Sequence, residues 1–208
     1  MSGRWAFYVD SAACSGCKAC QVACKDRNGL PAGVLWRRVA EVAGGGWRRA
    51  GAAWEQDVFA YHLSVACNHC ERPICVEVCP SGAMAQREDG IVLVDGSKCL
   101  GCRYCEWACP YGAPQYDEGL GRMTKCTFCA QELEAGRPPA CVAACPMRAL
   151  DFGDREELES RHGPLRQAYP LPRPELTEPS LVITPHRGAA RAGRGEAGLA
   201  NGEEVKAP

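Results

Sequence analysis

Apolar positions in this chain gather in short runs. Phe7 to Asp10, Val58 to Ser64 and Ile91 to Asp95 each read as a brief strand, rich in residues that suit a half-buried pleated surface. Residues 28–57 carry Gly44-Gly45-Gly46 and three tryptophans, Trp36, Trp47 and Trp54, and predict an ordered excursion with a hairpin or two. Residues 154–163, rich in Glu and Arg, predict one exposed helix. From Pro164 the chain is Pro-rich and then rich in Gly, Ala and Arg, which predicts an extended arm ending in a disordered tail. Such an arm either docks along a partner or remains a solvated linker. No stretch approaches the roughly 18 to 20 uninterrupted apolar residues that a membrane-spanning helix needs.

Composition sharpens the picture. Leu, Ile, Val and Phe together make only about 17% of the 208 residues, a level near that of disordered proteins, yet the net charge is just -1. That near balance argues against a generic nucleic-acid or anionic-membrane binder, whose affinity comes from clustered basic side chains. The 46% hydrophobic content is inflated by Ala and by 16 Cys. Something besides an oily core must hold the chain together, and the cysteines are the candidates. The N-terminus runs from Met1-Ser2-Gly3-Arg4-Trp5 into the first strand without a charged segment, apolar segment and cleavage site, so no secretory signal is expected. Synthesis in a reducing cytosol is then expected, where Cys clusters more often bind metal than pair as disulfides.

The cysteines fall into four groups of four: Cys14, Cys17, Cys20 and Cys24; Cys67, Cys70, Cys75 and Cys79; Cys99, Cys102, Cys105 and Cys109; Cys126, Cys129, Cys141 and Cys145. Groups one and three share the spacing C-x2-C-x2-C-x3-C, and groups two and four widen only the middle gap. The flanks repeat too. Val9-Asp10 precedes Cys14 as Val94-Asp95 precedes Cys99, and Gly16-Cys17-Lys18 matches Gly101-Cys102-Arg103. Pro80, Pro110 and Pro146 follow the last Cys of their groups, whereas Lys25 stands there in group one.

This spacing is that of [4Fe-4S] ligation. Three thiolates on a tight loop reach three corners of one cube, and the fourth Cys, expected on a following short helix, supplies the last corner of a neighbouring cube. Gly16 and Gly101 let backbone approach the cluster, and the Pro after the last Cys redirects the chain. Eight disulfides would suit the even count but not the cytosolic start or the repeated runs. Structural zinc takes two separated ligand pairs, not three crowded sulfurs and a fourth further on.

Four groups imply four clusters in two exchanging pairs. Groups two and three are close in sequence and pair on that ground, which leaves groups one and four to pair across the chain. Cys14, Cys17, Cys20 and Cys145 then hold one cluster, and Cys24, Cys126, Cys129 and Cys141 its neighbour. Cys67, Cys70, Cys75 and Cys109 hold a third, and Cys79, Cys99, Cys102 and Cys105 the fourth. Spacing alone leaves open two consecutive modules, one with two and three with four. The expected fold is α+β and loop-rich: two ferredoxin-like units of the bacterial 2[4Fe-4S] type, one inserted in the other, with an extended C-terminal arm. Residues 1–30 and 119–153 make the outer unit, 31–57 an inserted excursion, 58–118 the inner unit, and 154–208 the helix, arm and tail.

With four such groups in this order the chain resembles the four-cluster electron-transfer subunits of molybdopterin oxidoreductase complexes. Within them it is most similar to the iron–sulfur (B) subunits of anaerobic dimethyl sulfoxide reductases. The resemblance rests on Cys14-Ser-Gly-Cys-Lys-Ala-Cys20, Cys67-Asn-His-Cys70, Cys79-Pro-Ser-Gly-Ala-Met84 and Cys99-Leu-Gly-Cys-Arg-Tyr-Cys105, and continues through Ala108 to Tyr116, Met123 to Cys126 and Arg148 to Gly153. It spans about residues 5 to 185 and implies the one-with-four, two-with-three pairing. It also implies a heterotrimer, peripheral on the cytoplasmic membrane, with a molybdopterin catalytic subunit and a membrane anchor that oxidises quinol. Nitrate reductase relatives carry Trp at the second position of group three and hold a [3Fe-4S] cluster there. Cys102 occupies that position here, so all four sites are expected to be [4Fe-4S]. The resemblance places the group-three cluster nearest the anchor and the group-one cluster nearest the molybdenum subunit.

No carboxylate pair or nucleophile–base spacing points to catalysis, and the four His are scattered. The expected function is electron conduction from quinol to a catalytic centre elsewhere. The alternatives are the same role in a thiosulfate, tetrathionate, selenate or formate enzyme, or a soluble polyferredoxin. Each thiolate-ligated cluster carries about -2, which brings the loaded chain to roughly -9. Lys18, Lys25, Arg103, Lys125 and Arg148 either offset that charge or remain solvated. His69, between two ligands, reads as a packing or hydrogen-bonding residue. Trp107 and Tyr104, beside the group-three ligands, read as shields against water.

Overall fold

A computed structural model describes residues 3–205. In chain order the elements are β1 (Trp5–Asp10), α1 (Ala19–Arg27), β2 (Arg38–Gly44), β3 (Trp47–Ala50), β4 (Ala53–Gln56), β5 (Phe59–Val65) and α2 (Ile74–Glu77). Then come β6 (Met84–Gln86), β7 (Val92–Val94), α3 (Tyr104–Ala108), β8 (Gln115–Asp117), β9 (Arg122–Thr124), α4 (Ala130–Glu134) and α5 (Ala140–Ala143). The chain closes with β10 (Leu150–Asp154), α6 (Arg155–His162), β11 (Leu181–Thr184), α7 (Ala189–Arg191), β12 (Ala197–Leu199) and α8 (Gly202–Val205). It is a mixed helix and strand architecture of short pieces. Among the described residues no helix is long and apolar enough to cross a membrane.

The internal repeat reappears as topology. β1, just before group one, pairs antiparallel with β10, just after group four. β7, just before group three, pairs antiparallel with β6, just after group two. The helices follow suit, α1 packing against α5 and α2 against α3. Groups one and four thus face each other, and groups two and three do the same.

Burial on both faces of β1 explains its unbroken apolar run. Phe7 and Val9 point into the main core, opposite Phe152 and Leu150 on one side and Leu181 and Ile183 on the other. Ala6 and Tyr8 point the other way, onto Leu158 and Val182. Each such fully buried aliphatic side chain contributes about 1.5–3 kcal/mol. A second sheet, in the order β12-β2-β5, adds Val39, Val42, Tyr61 and Leu63 to the main core. The excursion over 28–57 does carry a hairpin: β3 and β4 form an exposed ribbon.

Two expectations need correcting, and the expected helix is present. The segment after Pro164 is neither a free arm nor a disordered tail through Val205. Leu181 to Ile183 are buried and β11 lies parallel to β1, while β12 pairs with β2. The Pro and Gly content concealed two short strands whose partners lie far away in sequence. Residues 206–208 lie outside the described residues. The helix over 155–162 is capped by Asp154, whose Oδ1 accepts from the Glu156 and Glu157 amides at 2.9 and 3.3 Å, and fully buried Leu158 fastens it to the core. Finally, only Cys24 of the four last cysteines lies within a helix. Cys79, Cys109 and Cys145 fall just beyond α2, α3 and α5. A residue before Pro is driven toward extended backbone, as at Cys109 (φ -76, ψ 114). Group one has Lys25 instead of Pro, so α1 runs on to Arg27.

Candidate iron–sulfur centres

The first two cysteines of groups one and three sit on matching loops, and the third, Cys20 or Cys105, lies in the first turn of the helix that follows. Gly16 and Gly101 have φ of 72° and 67°, and Lys18 and Arg103 have 61° and 66° before α1 and α3. A Cβ at Gly101 would lie 2.6 Å from the Gly121 carbonyl oxygen, so the position needs glycine for space as well as for φ. Asp10 Oδ1 accepts from the Ala12 and Ala13 amides at 2.8 and 3.0 Å, and Asp95 Oδ1 accepts from the Ser97 amide at 2.9 Å. These turns aim the loops inward.

The sixteen thiols are all free and gather in fours. Cys14, Cys17, Cys20 and Cys145 line one cavity. Cys67, Cys70, Cys75 and Cys109 line a second, and Cys79, Cys99, Cys102 and Cys105 a third. Cys24, Cys126, Cys129 and Cys141 are electrostatic neighbours of one another. Each foursome joins three cysteines of one group to one of its facing group.

The foursomes also adjoin in sequence. Cys20, of the first, neighbours Cys141 of the set around Cys24. Cys126 of that set neighbours Cys67 of the next. Cys75 and Cys105, from the last two, share one apolar cluster with Met84, Val92 and Met123.

Burial pushes the Cys24, Cys70 and Cys105 thiols up to about 12, with neighbouring cysteines adding to the effect. Buried thiols held neutral are poor ligands until a metal displaces their protons, so loading releases protons here. Among the described residues no three His, Cys, Asp or Glu side chains converge on a point that would hold a single metal ion. The thiols stand around the walls of their cavities, an arrangement suited to a multi-iron body.

Orphaned donors support the same fit. His69 is fully buried, and its Nδ1 accepts from the Val92 amide at 2.9 Å, which leaves the proton on Nε2. Burial and nearby Lys125 hold its pKa well below the usual imidazole value, so it is neutral. Its Nε2 and Asn68 Nδ2 are buried without partners, and both residues line the Cys67 cavity. Cluster sulfur is the acceptor such donors lack. Iron–sulfur chemistry therefore suits the donor set.

The loop cations divide. Lys18 pairs with Glu204 at 2.6 Å and Arg103 with Glu106 at 2.7 Å, both near the surface, and Arg148 is exposed. Lys25 Nζ donates to the carbonyls of Pro31 and Val34. Lys125 is buried, its Nζ donating to the Val92 and Cys126 carbonyls. Trp107 does not shield the ligands and is exposed to 71%, whereas Tyr104, though also exposed, lines the cavity of Cys79, Cys99, Cys102 and Cys105 together with Leu100; Leu120 is exposed too. Sequence reasoning missed Arg37, which is buried against both groups one and four. The only signal was an Arg pair, Arg37-Arg38, opening an apolar strand with no acidic residue beside it.

Similarity to known proteins agrees with this chemistry. The 4Fe-4S dicluster domain family matches residues 58–155, and the chain is an iron–sulfur electron-transfer subunit. The (B) subunit of anaerobic dimethyl sulfoxide reductase from Escherichia coli (strain K12) is 51% identical over 205 residues, covering 99% of this chain and 100% of that protein. The protein of the same name from Haemophilus influenzae is 46% identical over 203 residues, covering 97% and 99%. The chain belongs to this family of reductase (B) subunits. The corresponding (B) subunit of tetrathionate reductase from Salmonella typhimurium is 42% identical over 158 residues, covering 76% of this chain and 61% of that protein.

Proposed function

We propose that the chain carries four [4Fe-4S] clusters in a row and conducts electrons from a quinol-oxidising membrane anchor to a molybdopterin catalytic subunit that reduces dimethyl sulfoxide. Cys14, Cys17, Cys20 and Cys145 would hold the first cluster, and Cys24, Cys126, Cys129 and Cys141 the second. Cys67, Cys70, Cys75 and Cys109 would hold the third, and Cys79, Cys99, Cys102 and Cys105 the fourth. Two ferredoxin-like units result, residues 58–118 nested between 1–30 and 119–153. When bound, each cluster supplies a one-electron site. The chain's own residues fix the separations, exclude water and tune the potentials.

The observation that carries this reading is the arrangement of thiols, four foursomes each adjoining the next. Full-length similarity to two dimethyl sulfoxide reductase (B) subunits favours that substrate over tetrathionate. Docking of the arm on a partner no longer supports a complex, because that segment packs on its own chain. Support comes instead from Leu100, Tyr104, Trp107 and Leu120, an exposed apolar group beside the Cys102 loop. Exposed apolar side chains gathered like Leu100, Tyr104 and Trp107 suit an interaction surface, here one for an anchor held against the membrane.

The test is anaerobic purification of the assembled complex with iron and sulfide analysis and EPR. About four irons and four sulfides per site are expected. Cys102→Ser should convert one site to a [3Fe-4S] signal and abolish quinol-linked turnover, leaving turnover with an artificial donor to the catalytic subunit. Recovery of a stable iron-loaded monomer with no large partner would defeat the proposal, as would unchanged quinol-linked turnover in the variant.

A further inference from the structure

Arg37 precedes β2 and is among the most enclosed side chains of the molecule, 1% exposed. Its Nη1 donates to Ser64 Oγ at 3.1 Å and approaches the Ser64 carbonyl at 3.4 Å. Its guanidinium carbon lies 4.5 Å over the Phe7 ring. Nε and Nη2 are buried without a hydrogen-bond partner, and no carboxylate among the described residues pairs with it. An unpaired buried cation is costly, so a negative partner is missing from the protein atoms.

The neighbours say what that partner is. The ionisable groups that act on its charge are Cys141, Cys20, Cys126 and Cys24, all from groups one and four. The Arg37 amide lies against the Cys24 thiol, and Ser64 Oγ lies 3.2 Å from Cys20 Sγ. One residue thus touches a ligand of one foursome through its backbone and reaches a ligand of the other through Ser64.

We propose that Arg37 is a shared counter-charge for the two clusters held by groups one and four, donating from Nε and Nη2 to their sulfur and raising both reduction potentials. The inference rests on the four-cluster reading. Adding one electron to a cluster adds one negative charge, which a fixed cation nearby stabilises. Arg remains charged at any working pH. The effect reaches this pair and leaves the other pair, whose ligands Arg37 does not adjoin.

The test is an anaerobic redox titration of the full complex followed by EPR, comparing wild type with Arg37→Gln and Arg37→Lys. Arg37→Gln should lower the potentials of two clusters until about tenfold less of each is reduced at a given potential, ~59 mV for a one-electron couple. The other two should not move, and Arg37→Lys should restore most of the loss. Unchanged potentials in Arg37→Gln, a common shift of all four, or an Arg37→Lys as low as Arg37→Gln would each overturn the inference. If Arg37→Gln fails to load iron, Arg37→Lys decides. Loading with near wild-type potentials supports a role for the charge, and lowered potentials or no loading refutes it. A wild-type complex with fewer than four clusters would instead bring down the reading beneath.

Discussion

Phe7 on β1 lies directly opposite Leu181 on β11, in a parallel pair that fastens the segment after the last cysteine to the strand before the first. Leu181 is buried in the main core. Leu181→Ala should destabilise the loaded protein by about 2–4 kcal/mol through lost burial and the space left behind. Thermal unfolding under anaerobic conditions measures this. A melting point equal to wild type would mean that the segment only lies on the body without holding it.

The exposed group around Trp107 makes a different prediction. Trp107→Glu should leave iron content and EPR spectra as they are, since the side chain packs on nothing among the described residues' core. Association with the anchor should weaken by about tenfold or more, the cost of a charge in an apolar interface centre. Membrane-bound fraction after cell breakage reads it out.

Glycine at the third ligand loop can be tested against glycine elsewhere. Gly101 and Gly136 both have positive φ, 67° and 70°, but only Gly101 has backbone within reach of an added Cβ. Gly136→Ala should cost about 1–2 kcal/mol, the left-handed penalty alone. Gly101→Ala should cost more and lower iron content, because the loop must shift. Equal losses in the two variants would contradict the close-approach argument.

Alkaline pH offers a fourth check. Tyr61 Oη donates to the Tyr169 carbonyl at 2.8 Å, and burial pushes its pKa from 10.0 up to about 12. Folding therefore favours the protonated phenol. That contribution is fully present below pH 10 and is lost as pH rises toward 12. Burial pushes Tyr111 up to about 12 as well, so phenolate absorbance should show a late step from both tyrosines, and Tyr61→Phe should shrink that step without abolishing it.

Much of the site was legible because metal ligation is local. Three cysteines within seven residues and the repeated Gly-Cys-Lys and Gly-Cys-Arg need no distant partner to be recognised. Strand β1 was equally plain, since burial on both faces leaves an unbroken apolar run. What escaped depends on contacts far apart in sequence. β11 looked like linker because its four residues are stable only beside β1, and Arg37 went unremarked because its partners are thiols from groups one and four. Trp107 was misjudged for the opposite reason: an aromatic side chain signals apolar contact but not whether the contact is inside the chain.

Cys14 and Cys145 line one cavity although most of the polypeptide separates them. In chain order the thiols of the two inner foursomes are complete at Cys109, while the outer two still lack Cys126 to Cys145. A chain cut short between Cys109 and Cys126 would therefore keep every thiol of the end of the row that holds Cys102 and leave the end that holds Cys14 without its partners.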